Sequence, residues 1–318
     1  MSNAVAADPP DSAVPGHYGD PYREQRRLAE GAAAVDVRHR PVLRVTGPDR
    51  LSWLHSLVSQ HVADLQPGDS TEALILSPTG HVEHHLHLLE TGDEVLAHVE
   101  PGTAQDVLAF LDRMRFMLRV EVSLAPDLVV RWHPEPVAVA TTTGFGSYAF
   151  VPAEAAYDGE WAGIGALEAL RVALLRPRLG LDTDHRTLPH EVGWLGTAVH
   201  LDKGCYRGQE TVARVHNLGQ PPRRLVLLHL DGSDSELPTV GSDVVFDGRV
   251  VGRVGTAVRH YEEGPLALAL VKRQVPADAE LVAGGVPAQI DPDRVAVMPE
   301  SPARSAAAAR SGLLRLPR

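Results

Sequence analysis

An α+β fold with an all-β segment at its C-terminal end is what this sequence predicts. Three observations predict it. Strand-like runs and helical stripes mix over residues 18–220, the pattern turns to strands alone after Pro221-Pro222, and an apolar content of 44% with few aromatics is that of a globular chain. The length of 318 residues suits about two domains and a sizeable core.

Residues 1–17 are rich in Pro, Ala and Asp and read as a disordered tail. Residues 22–34 read as a helix and 42–45 as a strand. Pro48-Asp49 opens a second helix, since proline is tolerated in a first turn, and Leu51, Leu54, Leu57 and Val58 give that helix an apolar stripe. Residues 72–76 and 82–89 read as strands paired across the turn Ser77-Pro78-Thr79-Gly80. A helix over 103–114 and a strand over 116–122 close this first region. The next holds a helix over 165–175, ended by Arg176-Pro177, then a polar loop over 179–192. The segment 203–210 follows, at a loop that opens another helix. Beyond Pro221-Pro222, strands at 225–228, 244–246, 249–251 and 266–271 are separated by turns, of which Asp247-Gly248 is a type I′ hairpin signal. Short strands of this kind make a small barrel or a sandwich, placed at 221–298. Residues 299–318, rich in Ala, Ser, Arg and Pro, read as a second disordered tail.

Composition excludes several functions. A net charge of −11 argues against broad nucleic-acid binding, which needs a positive footprint, while leaving room for a local basic pocket. A single cysteine excludes an internal disulfide, a redox dithiol pair and any cluster held by several cysteines of this chain alone, and fits the reducing cytoplasm. No run of about 18 apolar residues is present to span a membrane, and the N-terminal stretch lacks the basic and apolar regions of a secretory signal.

That cysteine, Cys205, lies in Lys203-Gly204-Cys205-Tyr206-Arg207-Gly208-Gln209-Glu210, between two cations and two glycines. Positive charge facing the sulfur would favour the thiolate, the form that acts as nucleophile and metal ligand. A small buried inert thiol is the alternative. His81, Glu83, His85 and His87 alternate along one strand and would share a face, the arrangement of a polar strand face rather than of a metal site, because ligands in a line do not surround an ion. Glu191, after Leu188-Pro189-His190, has the chemistry to accept paired N–H donors from a ring such as a pterin, or is a solvated loop carboxylate. Arg223 and Arg224 would suit a ligand carboxylate, or cap a strand end. Neither a phosphate-binding P-loop nor a nucleophile elbow is present.

The cysteine segment resembles the signature of the YgfZ family, folate-binding proteins related to the glycine-cleavage T-protein. Further likeness lies in Tyr18-Gly19-Asp20-Pro21, Val45-Thr46-Gly47-Pro48-Asp49-Arg50, Leu179-Gly180-Leu181-Asp182, Thr187-Leu188-Pro189-His190-Glu191, Val251-Gly252-Arg253-Val254-Gly255 and Leu268-Ala269-Leu270-Val271. The resemblance implies a T-protein-like folate-binding core with a ferredoxin-like lobe over 18–220 and a C-terminal β-barrel. It implies tetrahydrofolate or another reduced folate as ligand, with Glu191 on the pterin, Lys203, Tyr206, His84, Arg223 and Arg224 around the folate, and Cys205 as the reactive group. It implies a cytoplasmic accessory role in assembly or repair of iron–sulfur proteins, with those proteins or their assembly factors as partners. Aminomethyl- or methyl transfer to tetrahydrofolate is the alternative. Against it stands a departure: where true aminomethyltransferases carry an Asp, this chain has His84 and His85, which are not standing anions at neutral pH and are expected to line the pocket instead.

Overall fold

The computed structural model describes residues 4–233 and 236–297. The expected tail at 299–318 lies outside them. The N-terminal expectation is corrected: β1 (Val5–Ala6) and β2 (Pro15–His17) form an antiparallel ribbon, and Asp11 between them is buried. Its carboxylate takes a bidentate pair of hydrogen bonds from Arg178, which fastens this segment to the body.

Helix α1 (Pro21–Ala29) starts on Asp20, whose side chain accepts from the Arg23 amide, and stops at Gly31, so it is shorter than the 22–34 expected. Strand β3 (Ala33–Asp36) follows. Then come β4 (Val42–Thr46), α2 (Arg50–Leu57), β5 (Ser70–Leu76), β6 (Val82–Glu90), β7 (Glu94–His98), α3 (Ala104–Arg113) and β8 (Glu121–Leu124). Their antiparallel sheet runs β5-β6-β7-β4-β8. Without the edge strand β5 this is the βαββαβ order of a ferredoxin-like lobe. Helices α2 and α3 contribute Trp53, Leu54, Val107 and Leu111 to a core with Ala73, Ile75, Leu86 and Leu88 of the sheet. The strand expected over 116–122 begins later, since Phe116 and Met117 are 83% and 98% exposed.

A second five-stranded sheet runs β10-β11-β9-β3-β12, built from β9 (Leu128–His133), β10 (Ala140–Thr143), β11 (Gly146–Pro152) and β12 (Glu160–Ala162). Helix α4 (Ile164–Ala173) follows, and α5 (Gln209–Leu218) comes after a 3₁₀ turn at Pro189–Glu191. Strands β13 (Arg223–Leu230), β14 (Asp243–Phe246), β15 (Arg249–His260), β16 (Gly264–Lys272), β17 (Glu280–Ala283) and β18 (Val286–Val295) close into a barrel in the order β13-β16-β15-β14-β17-β18. Asp247 and Gly248 both have positive φ, as a type I′ turn requires. Barrel and α4 are tied by Asp182, which accepts from Arg171 at 2.7 Å and from the Thr256 amide at 2.7 Å.

The cysteine segment is held by backbone contact. Gly208, with φ 83°, caps the start of α5. A methyl group added there would lie 2.6 Å from the Ser77 carbonyl oxygen and 2.9 Å from the Gly80 Cα. The turn between β5 and β6 and the loop of Cys205 therefore touch through bare glycine backbone.

Candidate functional site

The two faces of the β5–β6 hairpin build the site. Ala73, Ile75, Leu86 and Leu88 turn toward α2 and α3. On the other face Glu72 pairs in register with His87, and Leu74 with His85. The register shifts between Ile75 and Leu76, where Ile75 pairs with His84 and Leu76 with Val82, leaving Glu83 as an extra residue. The simple alternation expected for His81, Glu83, His85 and His87 is broken by this bulge, and only His85 and His87 of the four turn into the interior.

Both histidines line a cavity of roughly 330 Å³ among the first lobe, the second sheet, the segment after α4 and the end of β18. Glu72, Trp194, Tyr148 and Phe145 also line it, with Arg40, Arg171, Arg176, Arg178 and Glu100. His85 Nε2 lies 3.1 Å from Glu72 Oε2. Burial pushes the Glu72 carboxyl up, but the His85 hydrogen bond and the nearby His87, His85 and Arg176 outweigh it and hold the group down at about 2. Glu72 is therefore an anion at neutral pH. His87 and His98 stack at 4.4 Å with an interplanar angle of 6°, and burial lowers both well below the usual imidazole range, so both are neutral.

Most of the cavity's charge is matched. Arg178 binds Asp11, Glu100 and Glu168, Arg40 lies 3.2 Å from Glu100, and Arg171 pairs with Glu168 and Asp182. Arg176 is different: among the described residues its side chain has no ion-pair partner within 4.0 Å.

Of the residues expected at the site from sequence, His85 lines this cavity, and Cys205, Glu191, Lys203, Tyr206, His84, Arg223 and Arg224 do not. Glu191 is fully buried, and Arg223 donates to its Oε1 at 2.9 Å and its Oε2 at 2.8 Å, while the Leu188 amide donates to Oε2. Both oxygens thus accept from Arg223, and the cavity wall begins one residue later, with Val192, Gly193 and Trp194. Arg223 also grips Asp184, at 2.6 Å. Arg224 donates to the Val275 carbonyl inside the barrel domain. His84 lies on the face opposite His85 by strand alternation, half-buried, with Asp106 of α3 and Arg207 among its charged neighbours, so of the two histidines expected in the pocket only His85 is there. Tyr206 packs into the core with Val192 and Trp194, and burial pushes its hydroxyl up to about 12.

Cys205 is exposed, which rules out the small buried thiol. Its flanking cations are committed elsewhere. Lys203 donates to the carbonyls of His55, Val58 and Gln60, at the C-terminal end of α2, where a cation is favoured. Burial lowers it to about 8, so it is still protonated at neutral pH. Arg207 donates to Glu83 at 2.9 Å and lies over the Phe110 ring.

Sequence reasoning missed Glu72, Trp194 and Arg176, and it weighed His87 with His81, Glu83 and His85 but read the four as a polar strand face. Glu72 was visible only as the polar residue that opens an apolar run, Glu72-Ala73-Leu74-Ile75-Leu76, whose register against β6 decides what it faces.

No family model matches the chain. It is 24% identical to a putative chloroplastic transferase of Arabidopsis thaliana, over 77% of this chain and 66% of that protein. It is 25% identical to an aminomethyltransferase of Nostoc sp., over 81% of each. Among solved structures, glycine cleavage system aminomethyltransferase T from Bartonella henselae superposes with a TM-score of 0.78 over 95% of this chain and 94% of that one, at 18% identity. The chain has the T-protein fold. The ferredoxin-like lobe and closed barrel expected from sequence are parts of that fold here. Among the described residues no helix is long and apolar enough to cross a membrane.

Proposed function

We propose that the central cavity binds a reduced folate and that the protein transfers a one-carbon unit, aminomethyl or methyl, with Glu72 taking the proton and His85 holding Glu72 in place. The observation that carries this is the Glu72–His85 pair in a cavity that also holds flat rings and an unpaired arginine. The relatives are named as transferases, aminomethyltransferases among them, which supports the transferase reading over an accessory role.

The residues present fit a folate. Its ring carries paired N–H donors, and Glu72 is an ionised acceptor on the cavity surface. Trp194, Tyr148 and Phe145 offer planar apolar surface to a bicyclic ring. Arg176 is the cation available to the carboxylate tail. The volume is at the lower end of small-molecule sites, which run from about 300 to 1,000 Å³. A bound reduced folate supplies an amine nitrogen able to accept and carry a one-carbon unit. Glu72 is poised to take a proton, on the oxygen that His85 does not hold, from a group that becomes cationic as it reacts, and His85, donating to the other oxygen at 3.1 Å, holds the carboxylate in place. The carboxylate whose absence from β6 spoke against transfer is supplied by the neighbouring strand.

Calorimetric titration with tetrahydrofolate tests this. One folate per chain is expected, with Arg176→Ala weakening it by about tenfold through loss of a charged hydrogen-bonding partner. No binding by the wild-type chain would sink the reading.

A second reading is favoured by a different observation, the exposed lone thiol in a loop pinned to the β5–β6 turn. In it the protein is a cytoplasmic accessory factor for iron–sulfur proteins, and Cys205 supplies one ligand to iron held mainly by a partner, since one thiolate cannot hold a cluster alone. In cells carrying Cys205→Ser, this reading expects reduced activity of an iron–sulfur enzyme at unchanged levels of the variant; full activity would remove it.

A further inference from the structure

We propose that Glu72, His85 and His87 form a site for a divalent transition-metal ion, zinc(II) being the representative, with its remaining coordination open to the cavity. This goes beyond the folate reading and does not depend on it; with the ion bound, Glu72 and His85 serve as its ligands and not as the proton-handling pair. The ligand atoms of the three residues all lie within 4.8 Å of one another. Zinc bonds to imidazole and carboxylate of about 2.0–2.2 Å set ligand atoms of a tetrahedral site roughly 3.3–3.5 Å apart. The Glu72–His85 pair is already at 3.1 Å, so rotation of His87 is the main adjustment the site needs.

The geometric objection to ligands in a line along one strand does not apply. Glu72 comes from β5 and faces His87 directly across the ladder, while His85 stands two residues along β6, so the three converge as a triangle. They are also held there. His87 is 8% exposed, its Nδ1 has no hydrogen-bond partner, and its ring is backed by the parallel ring of His98. His85 is flanked by the Trp194 ring at 4.7 Å. His87 thus has a buried Nδ1 without a partner, a costly state, while its ring lines the cavity beside Glu72 and His85, where an ion would draw it into a satisfied arrangement. Two imidazoles and one carboxylate with an open side is the donor set of catalytic zinc and of mononuclear iron(II) sites. The arginines nearby do not forbid a cation. Arg40, Arg171 and Arg178 are neutralised by Glu100, Glu168, Asp182 and Asp11, which leaves the Glu72 charge to face the ion, with Arg176 the one lining arginine whose side chain has no ion-pair partner among the described residues.

The test is titration of the full-length Cys205→Ser protein with zinc(II) alone, no folate present, so that neither the exposed thiol nor a ligand in the cavity contributes. One zinc per chain is expected, with a rise in melting temperature. Cobalt(II) should give the visible absorption of a four- or five-coordinate site. His87→Gln should bind zinc about tenfold or more weakly, while His229→Gln, on the barrel, should match the parent. Should His87→Gln fail to fold, the cobalt spectrum and zinc-induced stabilisation of the Cys205→Ser protein decide the matter alone. Absence of stoichiometric zinc, or equal binding by a folded His87→Gln variant, overturns the site. Because folate is omitted, failure here leaves folate binding to be judged by its own titration.

Discussion

Arg178→Ala should lose about 3–5 kcal/mol of unfolding free energy, because removing one partner from a buried ion network strands the others. The guanidinium is 3% exposed and donates to Asp11, Glu100 and Glu168, three carboxylates from the N-terminal ribbon, the loop between β7 and α3, and α4. Without it Asp11 keeps His39 and Glu168 keeps Arg171, but Glu100 is left with Arg40 alone. Denaturant unfolding at neutral pH measures the loss; a change under about 1 kcal/mol would mean that the carboxylates find water or other partners. The pH dependence has a definite sign. Burial raises the Glu100 carboxyl, and Arg178 and Arg40 overcome that, bringing it from an ordinary 4.5 to about 2. A group depressed in the folded state contributes stability that is whole above its unfolded pKa and is lost as pH falls through the folded one. The wild-type chain should therefore weaken between roughly pH 4.5 and 2, and the gap between it and Arg178→Ala should narrow over that interval.

Glu72→Gln should slow one-carbon transfer by about a hundredfold or more, the typical worth of a positioned proton-transfer group. Gln keeps the shape but sets an NH2 against one of the ring's paired N–H donors, so affinity for the folate should fall as well, and the loss of chemistry is read as kcat at saturating folate. His85→Gln should fall less steeply, since the carboxylate remains. A Glu72→Gln variant with wild-type kcat would show that the carboxylate is not a proton carrier. The pair of variants separates chemistry from binding, because Arg176→Ala is expected to act on folate affinity and leave the bound rate nearly intact.

The fold was legible in the sequence because its signals are local. The Asp247-Gly248 turn fixes a hairpin by positive φ, and the strand pair flanking Ser77-Pro78-Thr79-Gly80 follows from alternation and a turn. Elements whose limits depend on distant packing were read less well. The helix after Asp20 stops at Gly31 so that β3 can enter the second sheet, and residues 4–17 are ordered by Arg178, far away in sequence, which composition does not reveal. The candidate site was the least legible part, for a geometric reason. Its carboxylate and its imidazoles sit on different strands, and one extra residue at Glu83 decides which histidines turn inward. Cys205, the most conspicuous residue in the chain, is on the surface, with both neighbouring cations bound to other acceptors.

The crossing of Gly80 and Gly208 makes one mechanical part of two loops more than a hundred residues apart. With no side chain between the two glycines, the segment bearing Cys205 and the turn that leads into the strand of His85 and His87 meet backbone to backbone. The surface thiol and the enclosed histidines thus share one anchor point, and any bulkier residue at either glycine would pry both segments apart at once.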